Sequence, residues 1–160
     1  MNFADTNWLE AMFVDIDEEK QRRVIVERFH RQNPTMIGIS HVVLLEARNV
    51  FSRLTGSSNP PEWQELQDGF SGRFYLDPMN WDLLRLEAWR LFEKYSHRVS
   101  IGTFDIAVLA SAILAGATCI LSFDENLKAL ATAEGLEVFP KLNQHGHAIL
   151  HRIKLPRGSR

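Results

Sequence analysis

The chain of 160 residues has one cysteine and no long apolar segment. A lone thiol, Cys119, excludes an intrachain disulfide, so a reducing compartment such as the cytoplasm fits best. The most apolar run, residues 106–121, is shorter than the roughly 20 residues that a membrane-spanning helix needs, and Gly116 interrupts it. The first residues contain no basic stretch followed by an apolar one, so we expect no signal or transit peptide.

An excess of charge of either sign is also missing. The 18 Lys and Arg residues nearly balance the 20 Asp and Glu residues, which gives a formal net charge of -2 and a pI near 6.3. The whole chain therefore has no general attraction for a polyanion. Any contact with nucleic acid would need a local basic patch, or metal ions that reverse the sign of an acidic site.

Strand-like and helical patterns alternate along the chain. The patterns predict strands at 2–4, 36–39, 118–122 and 136–139, and helices at 8–13, 18–32, 41–54, 82–97, 103–115 and from 124 onward. Ser40 is the expected N-cap of the helix at 41–54. Residues 56–81 predict a mixed loop and short-helix insertion. Residues 141–160 predict an irregular tail, whose end at 155–159 resembles the remnant of a protease site.

This alternation predicts an α/β fold. Strands joined through helices form right-handed crossovers, which produce a mainly parallel sheet with helices on both faces. The composition, 45% hydrophobic and 24% charged, is typical of an ordinary globular domain. We therefore expect a single domain across residues 1–160.

Four acidic residues lie at informative places in this pattern. Asp5 and Asp124 directly follow predicted strands, and the carboxyl ends of parallel strands meet at one edge of a sheet. Glu46 shares a helix face with valines, and Asp105 lies in the first turn of its helix, on the inward side. Each acid alone also has a structural explanation, as a helix cap, a turn residue or a complement to the helix dipole.

Several carboxylates at one edge of a sheet require neutralisation. Two unit charges about 4 Å apart repel by roughly 4 kcal/mol at an effective dielectric constant of 20. Oxygen ligands without cysteine or histidine favour a hard cation. We therefore predict a site for Mg²⁺ or Mn²⁺ built from Asp5, Glu46, Asp105 and Asp124. Such an ion keeps waters, which supply a nucleophile and exchange with phosphate oxygens.

Four short motifs resemble those of the PIN-domain ribonuclease family, and in particular the VapC-type toxins of bacterial toxin–antitoxin systems. They are Phe-Ala-Asp-Thr-Asn at 3–7, Ile-Ser and Leu-Glu-Ala within 39–47, Thr-Phe-Asp-Ile at 103–106, and Leu-Ser-Phe-Asp-Glu-Asn-Leu at 121–127. Ser122 stands where the family often has threonine, which keeps the hydroxyl group. Residues 56–81 and the C-terminal tail do not align with the family.

The resemblance implies a three-layer αβα sandwich with the acids at one end of the central sheet. It also implies metal-dependent hydrolysis of RNA phosphodiester bonds by an activated water. In this scheme Asp5, Glu46 and Asp105 hold the principal ion. Asp124 completes the pocket, directly or through a water.

The resemblance extends to supporting residues and to partners. Thr6, Ser40 and Ser122 are expected to orient the carboxylates or water. The expected partners are the RNA substrate, a cognate antitoxin protein and a second copy of the chain. The second copy would bind through an apolar patch on the early helices.

Three other functions stay open at this point. A housekeeping RNA-processing nuclease would use the same site. A phosphatase for small phosphoesters would use a comparable acidic pocket, although its aspartyl-nucleophile version usually has an Asp-x-Asp where this chain has Asp5, Thr6 and Asn7. A catalytically inactive binding module of the same fold would keep the acids for structure or for Ca²⁺.

Aromatic residues are frequent in the 56–81 insertion: they are Trp63, Phe70, Phe74, Tyr75 and, at its end, Trp81. We interpret them as the core of a small lid, with base stacking or contact with a partner protein as the alternatives. Basic residues such as Arg48 are interpreted as solvated helix charges, with contact to an RNA backbone as the alternative.

Overall fold

The computed structural model describes residues 1–155, so the protease-site remnant lies outside the described residues except for Leu155. The strands are β1 (Asn2–Ala4), β2 (Ile37–Ile39), β3 (Phe74–Leu76), β4 (Cys119–Leu121) and β5 (Glu137–Phe139). The α-helices are α1 (Thr6–Phe13), α2 (Lys20–Gln32), α3 (His41–Thr55), α4 (Pro61–Asp68), α5 (Trp81–Tyr95), α6 (Thr103–Leu114), α7 (Glu125–Ala133) and α8 (Gln144–Lys154). Two short 3-10 turns cover Asp17–Glu19 and Gly69–Ser71.

The five strands form one parallel sheet in the order β3-β2-β1-β4-β5. Phe3 of β1 is paired with Gly38 on one side and with Ile120 on the other. Gly38 has no room for a side chain, because an added Cβ would lie 2.7 Å from the Phe3 ring. The strand order changes direction at β1, and ligands of open parallel sheets bind outside the carboxyl ends of the strands at such a point.

The predicted three-layer α/β fold is confirmed. Strands β2 and β4 are buried along their whole length, and the apolar residues of the strands and helices form one continuous core. This burial explains why the central strands are continuous apolar runs instead of alternating ones. None of the helices described within residues 1–155 is both long and apolar enough to cross a bilayer.

The prediction for residues 56–81 was incomplete. The short helix is present as α4, but the segment also contains β3, which pairs with β2 at the edge of the sheet. In β3 only Phe74 is buried, while Tyr75 is exposed. A three-residue edge strand carries too few residues for a periodic pattern, and pairing with β2 decides its conformation.

The irregular tail predicted for residues 141–160 was wrong over most of its described part. Helix α8 begins at the N-cap Asn143, whose Oδ1 accepts the Gly146 N–H at 2.9 Å. Ile149 and Ile153 are buried, and α8 packs against α7. The apolar stripe of α8 is short and lies among histidines and basic residues, so the sequence shows no clear helical period there.

Candidate acidic active site

Asp5 lies where the central strand β1 ends and helix α1 begins. Its backbone N–H donates to the Leu121 carbonyl at 3.0 Å, which extends the contact between β1 and β4 by one residue. Its side chain caps α1, because Oδ1 accepts the Thr6 N–H at 2.7 Å. Asp5 is only 5% exposed. The fold therefore holds this carboxylate in a fixed, largely dehydrated position.

Ser122 connects Asp5 to the turn that follows β4. The buried Ser122 hydroxyl donates to Asp5 Oδ2 at 2.8 Å and accepts the Asp124 N–H at 3.0 Å. Asp124 in turn caps α7, with Oδ1 accepting the Leu127 N–H at 2.9 Å. One hydroxyl group therefore joins the ends of β1 and β4 and orients the acid of the first strand.

Glu46 is held by the first turn of α1. The buried Thr6 hydroxyl donates to Glu46 Oε2 at 2.9 Å, a contact between residues 40 positions apart in the chain. Glu46 itself is half-buried, while Val43, Ala47 and Val50 on the same helix are buried. The apolar face of α3 thus directs this carboxylate toward the end of β1.

Asp105 lies in the first turn of α6 and is half-buried. Burial, together with the smaller effects of the negative charges of Asp124 and Glu46, raises the pKa of Asp105 to about 6. Asp105 therefore interacts electrostatically with both Asp124 and Glu46.

The charge of Asp5 depends on opposing effects. Burial raises its pKa, the charges of Asp105 and Glu46 act in the same direction, and the net value is about 7. The hydrogen bonds from Ser122 and Thr6 lower the pKa but do not compensate for burial. All four predicted acids therefore belong to one electrostatic unit at the carboxyl edge of the sheet.

The side chains are not arranged as a closed metal cage. Within residues 1–155, no group of three or more histidine, cysteine, aspartate or glutamate side chains is placed so that it can hold a metal ion by itself. The donors that are available are carboxylate oxygens, which suit a hard cation. Mg²⁺ usually retains several waters and uses one or two carboxylates together with substrate phosphates.

Asn7 also belongs to the site, although the sequence pattern did not single it out. Its Oδ1 accepts the Phe123 N–H at 3.0 Å, and its Nδ2 lies 3.3 Å from the Ser122 hydroxyl oxygen. The amide thus holds the β4–α7 turn against the first turn of α1. Its position directly after Thr6 in the first motif was a signal, but the partner lies 116 positions away in the chain.

Ser40 lies at the start of α3, the helix that carries Glu46. Its hydroxyl accepts the Val43 N–H at 3.0 Å and caps α3, as the helix pattern predicted. Among the described residues, none of the hydrogen bonds of its side chain reaches any of the four acids. Ser40 therefore positions Glu46 only through the start of the helix.

A further acid, Glu10, lies beside this group. The pKa of Glu10 is raised to about 7, mainly by burial and also by the charges of Glu19 and Glu46, while the charge of Arg22 acts in the opposite direction. The guanidinium of Arg22 lies 5.0 Å from the centre of the Phe123 ring, next to Asp124 in the chain. Glu10 could not be identified from local sequence patterns, because α1 and α2 bring these charges together only in the folded chain.

The family model described as the PIN domain matches residues 3–133, and this chain therefore belongs to the PIN-domain family. The matched segment contains all four acids and stops before β5 and α8. Among curated protein sequences, none matches this chain.

Solved structures share the fold at low sequence identity. VapC20 of Mycobacterium tuberculosis, described as a sarcin-ricin loop cleaving toxin, is 18% identical with a TM-score of 0.65, over 85% of this chain and 96% of that chain. VapBC2 of Rickettsia felis, bound to a DNA fragment from its promoter, is 17% identical with a TM-score of 0.61, over 86% and 96%. FitAcB of Neisseria gonorrhoeae is 15% identical with a TM-score of 0.56, over 87% and 96%.

Proposed function

We propose that this protein is a metal-dependent ribonuclease that hydrolyses phosphodiester bonds. The observation that carries the proposal is the electrostatic coupling of acids from four separate segments, namely Asp5, Glu46, Asp105 and Asp124. Membership of the PIN-domain family supports it. So does a fold shared with VapC20, a protein described as a sarcin-ricin loop cleaving toxin.

The chemistry of the donor set fits a divalent cation, Mg²⁺ or Mn²⁺. The pKa values of Asp5 and Asp105 are raised, mainly by burial and further by neighbouring carboxylates, so a positive charge between them would stabilise their ionised forms. Asp5, Glu46 and Asp105 would hold the ion together with waters and the substrate phosphate, because these side chains do not form a metal cage by themselves, and Asp124 would complete the site directly or through a water. When bound, such an ion supplies Lewis-acid stabilisation of phosphoryl oxygens and lowers the pKa of water.

The residues of the chain orient the reactants. Ser122 and Thr6 fix both oxygens of the Asp5 carboxylate, and the Thr6 hydroxyl fixes one oxygen of Glu46. Asp105 is half-buried in the first turn of α6, so its carboxylate can be reached from solvent. Burial of Asp5 and Ser122 excludes solvent from the inner side of the site.

The test is cleavage of total RNA by the purified protein in Mg²⁺ or Mn²⁺, with EDTA as a second condition. We expect cleavage that stops in EDTA and falls at least about 100-fold in Asp5→Asn, because this substitution keeps the shape but removes one ligand charge. Asp17→Asn is the matched control, since Asp17 is an exposed acid outside the site. Circular dichroism must show that all three proteins are folded. Cleavage that persists in EDTA, or that is equal in Asp5→Asn and wild type, would contradict the proposal.

We propose further that the enzyme is the toxin of a toxin–antitoxin pair. The solved structures with this fold include VapBC2 and FitAcB, and these support an antitoxin protein as a partner of this chain. An enzyme that cleaves the RNA of its own cell works in the cytoplasm, which is the location that we propose.

A second copy of the chain is a further proposed partner. The early helices expose few large apolar side chains, so we place the contact on α5 instead of on those helices. Leu83, Leu86 and Trp89 of α5 are all exposed. Burying such a row between two copies would remove apolar surface from water.

A further inference from the structure

A cavity borders α3, the helix that carries Glu46. This cavity of about 440 Å³ is lined by residues of α3, α4 and the segment leading into α5, among them His41, Leu45, Arg48, Trp63, Met79 and Trp81. Helix α3 starts directly after β2, and the segment 77–81 directly follows β3. Two of its walls therefore start at the carboxyl edge of the sheet, where the acids lie. Leu45 of the cavity immediately precedes Glu46 on α3.

We propose that this cavity, hereafter the base pocket, binds a nucleobase of the RNA substrate close to the phosphate that is cleaved. The inference rests on the proposed ribonuclease function and adds a substrate subsite to it. Bases of single-stranded RNA are recognised mainly by stacking on aromatic rings or on arginine, with the backbone phosphates bound by cations. The lining of the base pocket offers both kinds of group.

The aromatic surface of the base pocket is unusually open. Trp81 is 67% exposed, which is a large apolar area to leave in water at the first residue of a helix. Trp63 faces the same cavity and is half-buried, so its position is held by its neighbours. Leu45 and Met79 also line the cavity and add apolar surface to it. A flat, apolar ligand would cover this surface.

The charge of the lining favours an anion. The lining contains two basic residues, His41 and Arg48, and no acid. Arg48 donates to the Ser52 hydroxyl and, at 2.7 Å, to the Ser58 carbonyl, and its guanidinium lies 5.6 Å from the centre of the Trp63 ring. No carboxylate within residues 1–155 forms an ion pair with Arg48, so its charge is preorganised and not neutralised. His41 does have an acid nearby, because its charge acts to lower the pKa of Asp77.

The test measures binding of a fluorescein-labelled single-stranded RNA oligonucleotide by anisotropy. Asp5→Asn is the parent in every variant, so that the probe is not cut. Adding Trp81→Ala should weaken binding by between about 5- and 150-fold, the range for loss of one stacked base. Adding Arg48→Gln should weaken binding and reduce its dependence on salt, because one phosphate contact is lost.

Tyr75 and Arg28 provide a control pair outside the base pocket. Tyr75 is 41% exposed on β3, and Arg28 is exposed on α2. Tyr75→Ala and Arg28→Gln should leave RNA binding unchanged. Because Trp81 and Tyr75 are both exposed, neither alanine variant is expected to unfold, and thermal melts check this.

The outcomes separate the two proposals. Weaker RNA binding with Trp81→Ala but not with Tyr75→Ala supports the base pocket. Equal binding by both variants and the parent, or no binding by the parent, overturns it. If Trp81→Ala leaves the RNA affinity unchanged but changes the molecular mass measured by light scattering, Trp81 contacts another protein chain. That result also overturns the base pocket. If the pocket binds RNA but the wild-type protein never cleaves it, the ribonuclease proposal fails while the base pocket stands.

Discussion

Asp5 is a hydrogen-bonded carboxylate in a buried, acidic environment, and these two conditions have opposite effects on its ionisation. It continues the strand pairing, caps a helix and accepts two hydrogen bonds, yet it is buried among other acids. The two hydrogen bonds lower its pKa, but burial has the larger effect and raises the value to about 7. The ionised form that would bind a cation is therefore disfavoured until the cation is present.

This balance predicts how stability changes with pH in metal-free buffer. Because the folded pKa of Asp5 lies above the ordinary value of 3.8, the folded protein binds more protons than the unfolded chain between about pH 4 and pH 7. The free energy of unfolding should therefore fall as the pH rises through this window. Ionised Asp5 destabilises the folded state by on the order of 4 kcal/mol above pH 7. Asp105, with a pKa of about 6, contributes in the same direction.

Asp5→Asn should remove most of this pH dependence, so that the variant is more stable than wild type at pH 8 and similar to it near pH 4. Urea unfolding at both pH values measures the difference. Asp17→Asn, which changes an exposed acid paired with Lys20, should follow the wild-type curve. Identical curves for wild type and Asp5→Asn would show that Asp5 does not carry the effect.

At the scale of the elements, α8 depends on a buried charge of α7. Lys128 is only 2% exposed, and its Nζ forms an ion pair with Glu125 at 2.6 Å. Nζ also donates to the Pro140 carbonyl at 3.1 Å, and the second oxygen of Glu125 accepts the Asn143 N–H at 3.2 Å. The pair therefore holds the segment that starts α8 against the helix that follows Asp124.

Removing one member of this pair should be strongly destabilising. We expect Lys128→Ala to lower the free energy of unfolding by about 3–5 kcal/mol, because Glu125 and the carbonyl groups of Pro140 and Lys141 would be left without their partner. Lys94→Ala is the control, since Lys94 is half-exposed in its pair with Glu134 and should cost at most about 1 kcal/mol. Similar losses in urea unfolding of both variants would argue against a special role for the buried pair.

At the scale of the whole molecule, α5 exposes a row of large apolar side chains to solvent. Leu86, 55% exposed, lies one turn from Leu83 and Trp89 on this helix. Surfaces of this kind in a folded chain commonly mark contacts with another protein. Helix α5 follows the edge strand β3, whereas the acids lie at the carboxyl ends of the strands.

If two copies associate through α5, Leu86→Glu should convert the dimer to a monomer, because it places two charges in the contact. Light scattering coupled to size exclusion measures the mass. Val24→Glu is the matched control, since Val24 is 52% exposed on α2 and lies away from α5. Loss of the dimer in both variants, or in neither, would exclude α5 as the specific contact.

Much of the fold could be predicted from local patterns. The strands β1, β2, β4 and β5, the caps at Ser40 and Asp124 and the parallel sheet follow from short apolar runs separated by capped helices. Strand β3 and helix α8 could not be predicted, because the first depends on pairing with β2 and the second on packing against α7. In both, tertiary contacts outweigh a weak local preference.

The sequence by itself determined the chemistry of the candidate site, because acids that follow strands or lie on inward helix faces can be read from their spacing. Only the tertiary structure decided the partners of those acids. It joins Ser122 to Asp5 across 117 positions and adds Asn7 and Glu10 to the site. The physical reason is that hydrogen bonds and charge interactions depend on distance in space, which local periodicity does not specify.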